Sequence, residues 1–190
     1  MLQQVEFLEA EIERYDERLR ALMRPFERVL ERLDGIGGVG RVVAEVLLAE
    51  LGPEMGQFPD EDHASSWAGL SPGNNQSAGK QRSGKTPRGN RWLKQALLEA
   101  AYAASRQKES YLAAQYRRLA AHRGKKRAAV AVAHTILVAA YHILKEEVEF
   151  VELGGDYFDQ LNAEKTKRHL VKRLEHLGYK VELTRLEAAA

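Results

Sequence analysis

The sequence predicts a mainly α protein: an N-terminal coiled-coil helix, a helical domain containing a helix-hairpin-helix, and a short C-terminal helix and strand. Three observations carry that expectation. An unbroken heptad row of apolar residues runs from Val5 to Leu33. A glycine-rich turn then separates two short helical stretches. Residues 128–144, AAVAVAHTILVAAYHIL, are apolar on every side, the mark of a buried central helix.

Taken in order, Val5, Leu8, Ile12, Tyr15, Leu19, Leu22, Phe26, Val29 and Leu33 alternate spacings of three and four, with Glu and Arg between them. That is an a/d seam over four heptads, and a helix of that length reaches roughly 43 Å. Pro25 lies within it and removes a backbone donor, so a kink is expected there. A stripe this narrow suits a partner helix, which points to a homo-oligomer through residues 1–32.

The period breaks at LDGIGGVGRVVAEVLLAELG, residues 33–52. Leu33, Ile36, Gly38, Val39, Gly40, Ala44 and Leu47 fit a helix-hairpin-helix, in which Gly38 and Gly40 bring free N–H groups to a phosphate. A plain helix-turn-helix corner fits the same residues. Gly35, Gly37 and Gly40 also spell a dinucleotide fingerprint, which is rejected because a helix precedes it where a strand is required. Residues 53–90 read as loop-rich, with a short helix beginning after Asp60 and ending near Leu70. The run Asp60, Glu61, Asp62, His63 reads as a helix start, where acids are favoured, and no metal ligand set is assigned to it.

A formal Walker A match spans Gly79 to Thr86. No β-branched strand precedes it, and Pro87 and Gly89 follow directly, so no nucleoside triphosphate is expected. The same loop reads better as a phosphate-binding segment, because Lys80, Arg82, Lys85, Arg88, Arg91 and Lys94 crowd among small residues. From Asn90, a plausible N-cap, a helix runs through Trp92, Leu93, Ala96, Leu97, Ala100 and Ala104. A second begins at Tyr111 and ends in the basic run Arg117, Arg118, Arg123, Lys125, Lys126, Arg127. His134 on the apolar helix reads as a core histidine before a catalytic one. A helix near 163–177 and a short strand at 181–183 close the chain, and residues 186–190 read as a disordered tail.

Charge is sorted along the sequence. The formal net charge of +2 divides into −8 over residues 1–62, +13 over 63–145 and −3 over 146–190. A central block whose only acids are Glu99 and Glu109 is the electrostatic footprint of a polyanion partner. Zero cysteines exclude disulfides, thiolate metal sites and a cysteine nucleophile. No run of about 18 apolar residues marks a membrane span, and the acidic N-terminus is unlike a signal peptide, so the cytoplasm is the expected compartment.

The strings GIGGVGRVVAEVLLAELG, SWAGLSPGNNQSAGK, RGNRWLK, YRRLAAHRGKKRAAVAVAHTIL and LGGDYFD occur in this order between about Leu33 and Leu183. Together they resemble the C-terminal half of the insertion-sequence-110 family of transposases. The resemblance implies a two-part enzyme guided by a bridge RNA. A resolvase-like (RuvC-like) domain would hold divalent metal, Mg²⁺, on four acids. A coiled coil would join it to a transposase domain that supplies a serine nucleophile.

The serine matching that role is Ser77, with Ser71 and Ser83 as fallbacks. From the residues alone Ser77 is an ordinary loop serine with no base near it in sequence. The resolvase-like domain has no counterpart in this sequence, which opens in the coiled coil, so the chain alone is expected to bind nucleic acid without cleaving it. The expected organisation is a coiled coil over 1–32, a transposase domain over 33–148 with its basic serine loop at 71–90, and an extension over 149–190. The expected partners are DNA, a guide RNA and a second copy of the chain. The competing expectation is a non-catalytic nucleic-acid-binding and oligomerisation module.

Overall fold

The computed structural model describes residues 2–73, 75–77 and 79–184, and for 75–77 and 80–83 it describes the backbone. The chain is mainly α, as expected. The heptad row forms α1 (Leu2–Met23), a 3₁₀ turn (Arg24–Phe26) and α2 (Glu27–Asp34). Pro25 lies in the turn, so the missing donor falls where the α-helical ladder is already interrupted.

The break divides the seam in two. No residue of α1 is buried, and Val5, Leu8, Ile12, Tyr15, Leu19 and Leu22 are all exposed. Beyond the turn the same row faces inward, with Leu30 and Leu33 fully buried. The last heptad therefore belongs to the core, while the exposed seam ends at Leu22.

The core is built around α7 (Lys125–Glu146), against which α2, α4 (Glu61–Trp67), α5 (Arg91–Ala104) and α6 (Tyr111–Arg123) all pack. Helix α3 (Arg41–Leu51) completes the layer by packing on α2 and α5. Val132, Ile136, Leu137 and Tyr141 of α7 are buried, while His134 is only half-buried at the edge of the core. Helix α7 is long and apolar enough to cross a membrane, but more than half of its apolar stretch is buried within the protein itself. Its far end is tied to the α4 side by Tyr141 Oη, which donates to the Phe58 carbonyl at 3.2 Å. Lys145 Nζ adds a bond to the Pro59 carbonyl at 2.8 Å.

The segment after α7 is strapped across the core. Arg32, largely covered, pairs with Glu147 and Glu149 at 3.5 and 3.3 Å. Glu152 accepts from the backbone N–H of Tyr111 at 2.7 Å. Helix α8 (Tyr157–Leu161) then stacks Phe158 on Tyr111, and α9 (Ala163–His176) follows with no buried residue.

Two features differ from the sequence expectation. Residues 181–184 form no strand, since three residues without a neighbouring strand have nothing to bond to. A hairpin of β1 (Asn75–Ser77) and β2 (Lys80–Ser83) stands in the segment expected to be loop. Its signal was Gly79, whose φ of +72° supplies the tight reversal between two polar runs. The tail expected to be disordered, 186–190, lies outside the described residues.

Candidate nucleic-acid interface

The basic loop is clamped at its base. The turn after α4 places Gly69 at φ +71° against Gly89, so closely that a Cβ on Gly89 would stand 2.2 Å from the Gly69 nitrogen. Two backbone bonds bracket the contact: Asn90 N–H donates to the Trp67 carbonyl at 3.0 Å, and Gly73 N–H to the Lys85 carbonyl at 3.2 Å. Lys94 reaches up from α5 and donates to the Gly69 carbonyl at 2.7 Å and to Thr86 Oγ1 at 3.0 Å. Burial pushes its ammonium pKa down. Lys94, expected on a phosphate, thus has two of its three donors engaged in holding the loop.

Asn90 caps α5, accepting from the N–H groups of Trp92 and Leu93, both at 3.0 Å. Its amide also donates to Glu50 on α3 at 2.5 Å. The capping residue therefore links the loop, α3 and α5 at a single point.

From this base the hairpin extends, with Ser77 opposite Lys80 and Gln76 opposite Gln81. The side chains of Ser77, Lys80 and Arg82 lie outside the described part. Beside the base, residues 85–89 and the exposed face of α5 enclose an open cleft of about 650 Å³. Lys85, Arg88, Arg91 and Lys94 line it, together with Gln95, Leu98, Glu99 and Tyr102 on its α5 side. Tyr102 is 40% exposed, and Trp92 next to Arg91 is 66% exposed. The Arg91 guanidinium stands 5.5 Å from the Trp92 ring centroid, within cation–π range.

Sequence reasoning identified the cations here but missed Gln95 and Tyr102, and named Glu99 only as a stray acid. Their signal was present as spacing: 91, 95, 98 and 102 fall on one helical face, opposite the buried Leu93, Leu97 and Ala100.

The second basic group continues from the end of α6 into the first turn of α7. Arg117, Arg123, Lys125, Lys126 and Arg127 are exposed, and none forms an ion pair among the described residues. Arg118 differs, with its guanidinium over the Phe158 ring at 4.9 Å.

The glycine turn between α2 and α3 separates its two candidates. A Cβ on Gly38, at φ +87°, would stand 2.5 Å from Ala100 O and Ala104 N, so this glycine is required for the turn to pack on α5. Gly40 precedes α3 in extended conformation, with no atom within 4 Å of where a Cβ would be. Arg41, the first residue of α3, is held by Glu27 and by Glu45 at 2.7 Å, and its guanidinium keeps Glu27 below the ordinary carboxylate pKa.

The acidic run at α4 behaves as a helix start. Asp60 accepts from His63 N–H at 2.9 Å and contacts His63 Nδ1 at 2.6 Å, which lowers the Asp60 pKa. Among the described residues there is no group of three or more His, Asp or Glu placed to hold a metal ion.

The described residues thus form a helical core that carries a clamped hairpin and, beside it, a cleft lined by several cations and Tyr102. Residues 30–117, a little under half of the chain, match the model of a family described as the transposase IS116/IS110/IS902 family. The match runs from α2 through the glycine turn, the hairpin and α5 into α6. It supports that segment as part of an insertion-sequence transposase. No curated protein matches the chain.

Proposed function

We propose that the chain is the transposase domain of an insertion-sequence element, acting on DNA under a guide RNA with Ser77 as its nucleophile. The observation that carries this reading is the family match over residues 30–117, which includes the whole clamped loop. The chemistry asks for a hydroxyl that attacks a DNA phosphodiester: the serine oxygen bonds to phosphorus, and a deoxyribose oxygen leaves with a proton. One phosphate ester is exchanged for another, so rejoining needs no nucleotide hydrolysis.

The attack needs positive charge around the phosphoryl oxygens. Ser77 is paired with Lys80 in the hairpin's backbone register, and Arg88 and Arg91 line the cleft beside the hairpin's base. In this reading a divalent metal, Mg²⁺, belongs to a resolvase-like domain. The exposed α1 seam would pair two copies, and action on chromosomal DNA places the protein in the cytoplasm.

The test is covalent capture. With a resolvase-like domain of the family supplied, end-labelled element DNA is expected to give a protein–DNA adduct that survives denaturing electrophoresis. Ser77→Ala should remove the adduct at least a hundredfold while leaving DNA binding intact. An undiminished adduct in that variant would reject Ser77. A protein that binds DNA but never forms an adduct would be the non-catalytic module instead.

A further inference from the structure

The α5 cleft differs chemically from a phosphate track. A track is cationic throughout, whereas this cleft sets one carboxylate, Glu99, among four cations, Lys85, Arg88, Arg91 and Lys94, and on the same helical face as the exposed Tyr102 ring. Gln95 donates its amide N–H to Glu99 at 3.1 Å, which leaves the Gln95 carbonyl oxygen as a second acceptor. The cleft therefore offers a ring to stack on, two acceptor groups side by side, and cations flanking them. A carboxylate repels a phosphate but accepts from an exocyclic amino group, as acidic side chains do from N4 of cytosine. Single-stranded nucleic acid is gripped by aromatic stacking combined with cationic contacts to its backbone.

We infer that this cleft takes an unstacked nucleobase bearing an exocyclic amino group, from single-stranded nucleic acid, with Tyr102 as the stacking surface and Glu99 and Gln95 as the acceptors. Arg88 and Arg91 then meet the phosphates on either side. The inference rests on the reading of this face as a nucleic-acid interface and adds to it a strand state and a base preference. Cytosine and thymine test the preference directly: both are pyrimidines, but cytosine presents an amino donor where thymine presents a carbonyl acceptor.

The experiment measures anisotropy of labelled oligo(dC), oligo(dT) and mixed duplex, each about twelve nucleotides long, at low salt and slightly alkaline pH. The expected result is oligo(dC) binding about fivefold or more tighter than oligo(dT). Tyr102→Ala should weaken oligo(dC) binding at least about fivefold, while Tyr102→Phe retains it. Glu99→Ala should raise affinity for both strands by removing a negative charge, yet bring their ratio to about one. Neither side chain is buried, and because the Tyr102 ring packs edge-on against Tyr116 at 6.4 Å, a thermal melt of each variant accompanies the titration.

Equal binding of dC and dT strands, insensitive to Tyr102 and Glu99, would overturn the cleft assignment and leave the nucleic-acid reading standing. Failure of all three nucleic acids to bind at low salt would overturn both.

Discussion

Gly69 and Gly89 meet backbone to backbone, and everything the basic loop presents to a partner is positioned from that contact. Any side chain at Gly89 must push the α4 turn away from the start of α5. The bonds from Asn90 to Trp67 and from Lys94 to Gly69 would then stretch together. Gly89→Ala is expected to cost about 1–3 kcal/mol, the usual range for inserting an atom into a closed contact. It should also weaken nucleic-acid binding, because the hairpin base shifts. Gly84→Ala is the matched control: its Cβ would meet nothing within 4 Å, so stability should stay within about 0.5 kcal/mol of the parent. Thermal melts of the two variants side by side read the difference, and equal melting temperatures would mean the clamp yields more easily than its geometry implies.

At the scale of elements, α1 leaves its whole apolar row uncovered, from Val5 to Leu22. It follows that deleting residues 2–22 should leave the melting temperature of the core unchanged at low protein concentration, since no side chain in that stretch is buried. If the seam pairs two copies, Ile12→Lys with Leu19→Lys should convert a dimer to a monomer in sedimentation velocity, with the core melt again unaltered. A parent chain that sediments as a monomer would remove the self-pairing reading. The sequence made the helices legible because they depend on local signals: the heptad row, the caps Asp60 and Asn90, the break at Pro25 and the apolar run of α7.

The illegible parts depended on contacts between distant segments. Nothing near Leu33 in sequence announces that the seam turns inward after Phe26 to pack on α7. The hairpin lacks the β-branched residues that mark strands, and its register follows from a single glycine turn. The division of labour among the basic residues was also hidden. Lys94 and Arg91 both line the cleft, and only the fold shows Lys94 clamping the loop while Arg91 lies over the Trp92 ring.

At the scale of the whole molecule, the sorting of charge along the chain conflicts with folding at one place. Lys125, Lys126 and Arg127 occupy the first turn of α7, next to Gly124, whose lack of a side chain leaves that helix start without a side-chain cap. Cations at a helix N-terminus oppose the backbone dipole, at a cost on the order of 0.3–1 kcal/mol each at low salt. A sequence shaped for stability alone would carry Ser or Asp and then Glu here; a phosphate bound to the run would offset the conflict. The two demands therefore predict opposite signs for one variant. Lys125→Gln with Lys126→Gln should raise the melting temperature by roughly two degrees in low salt. The same variant should weaken duplex DNA binding uniformly across sequences. It should also make the slope of log affinity against log salt shallower by nearly 2, since two phosphate contacts release their counterions no longer. Paired melts and salt titrations distinguish the readings: higher stability with unchanged DNA affinity would make the run a solvated face, whereas higher stability with a shallower slope places it on the phosphate backbone.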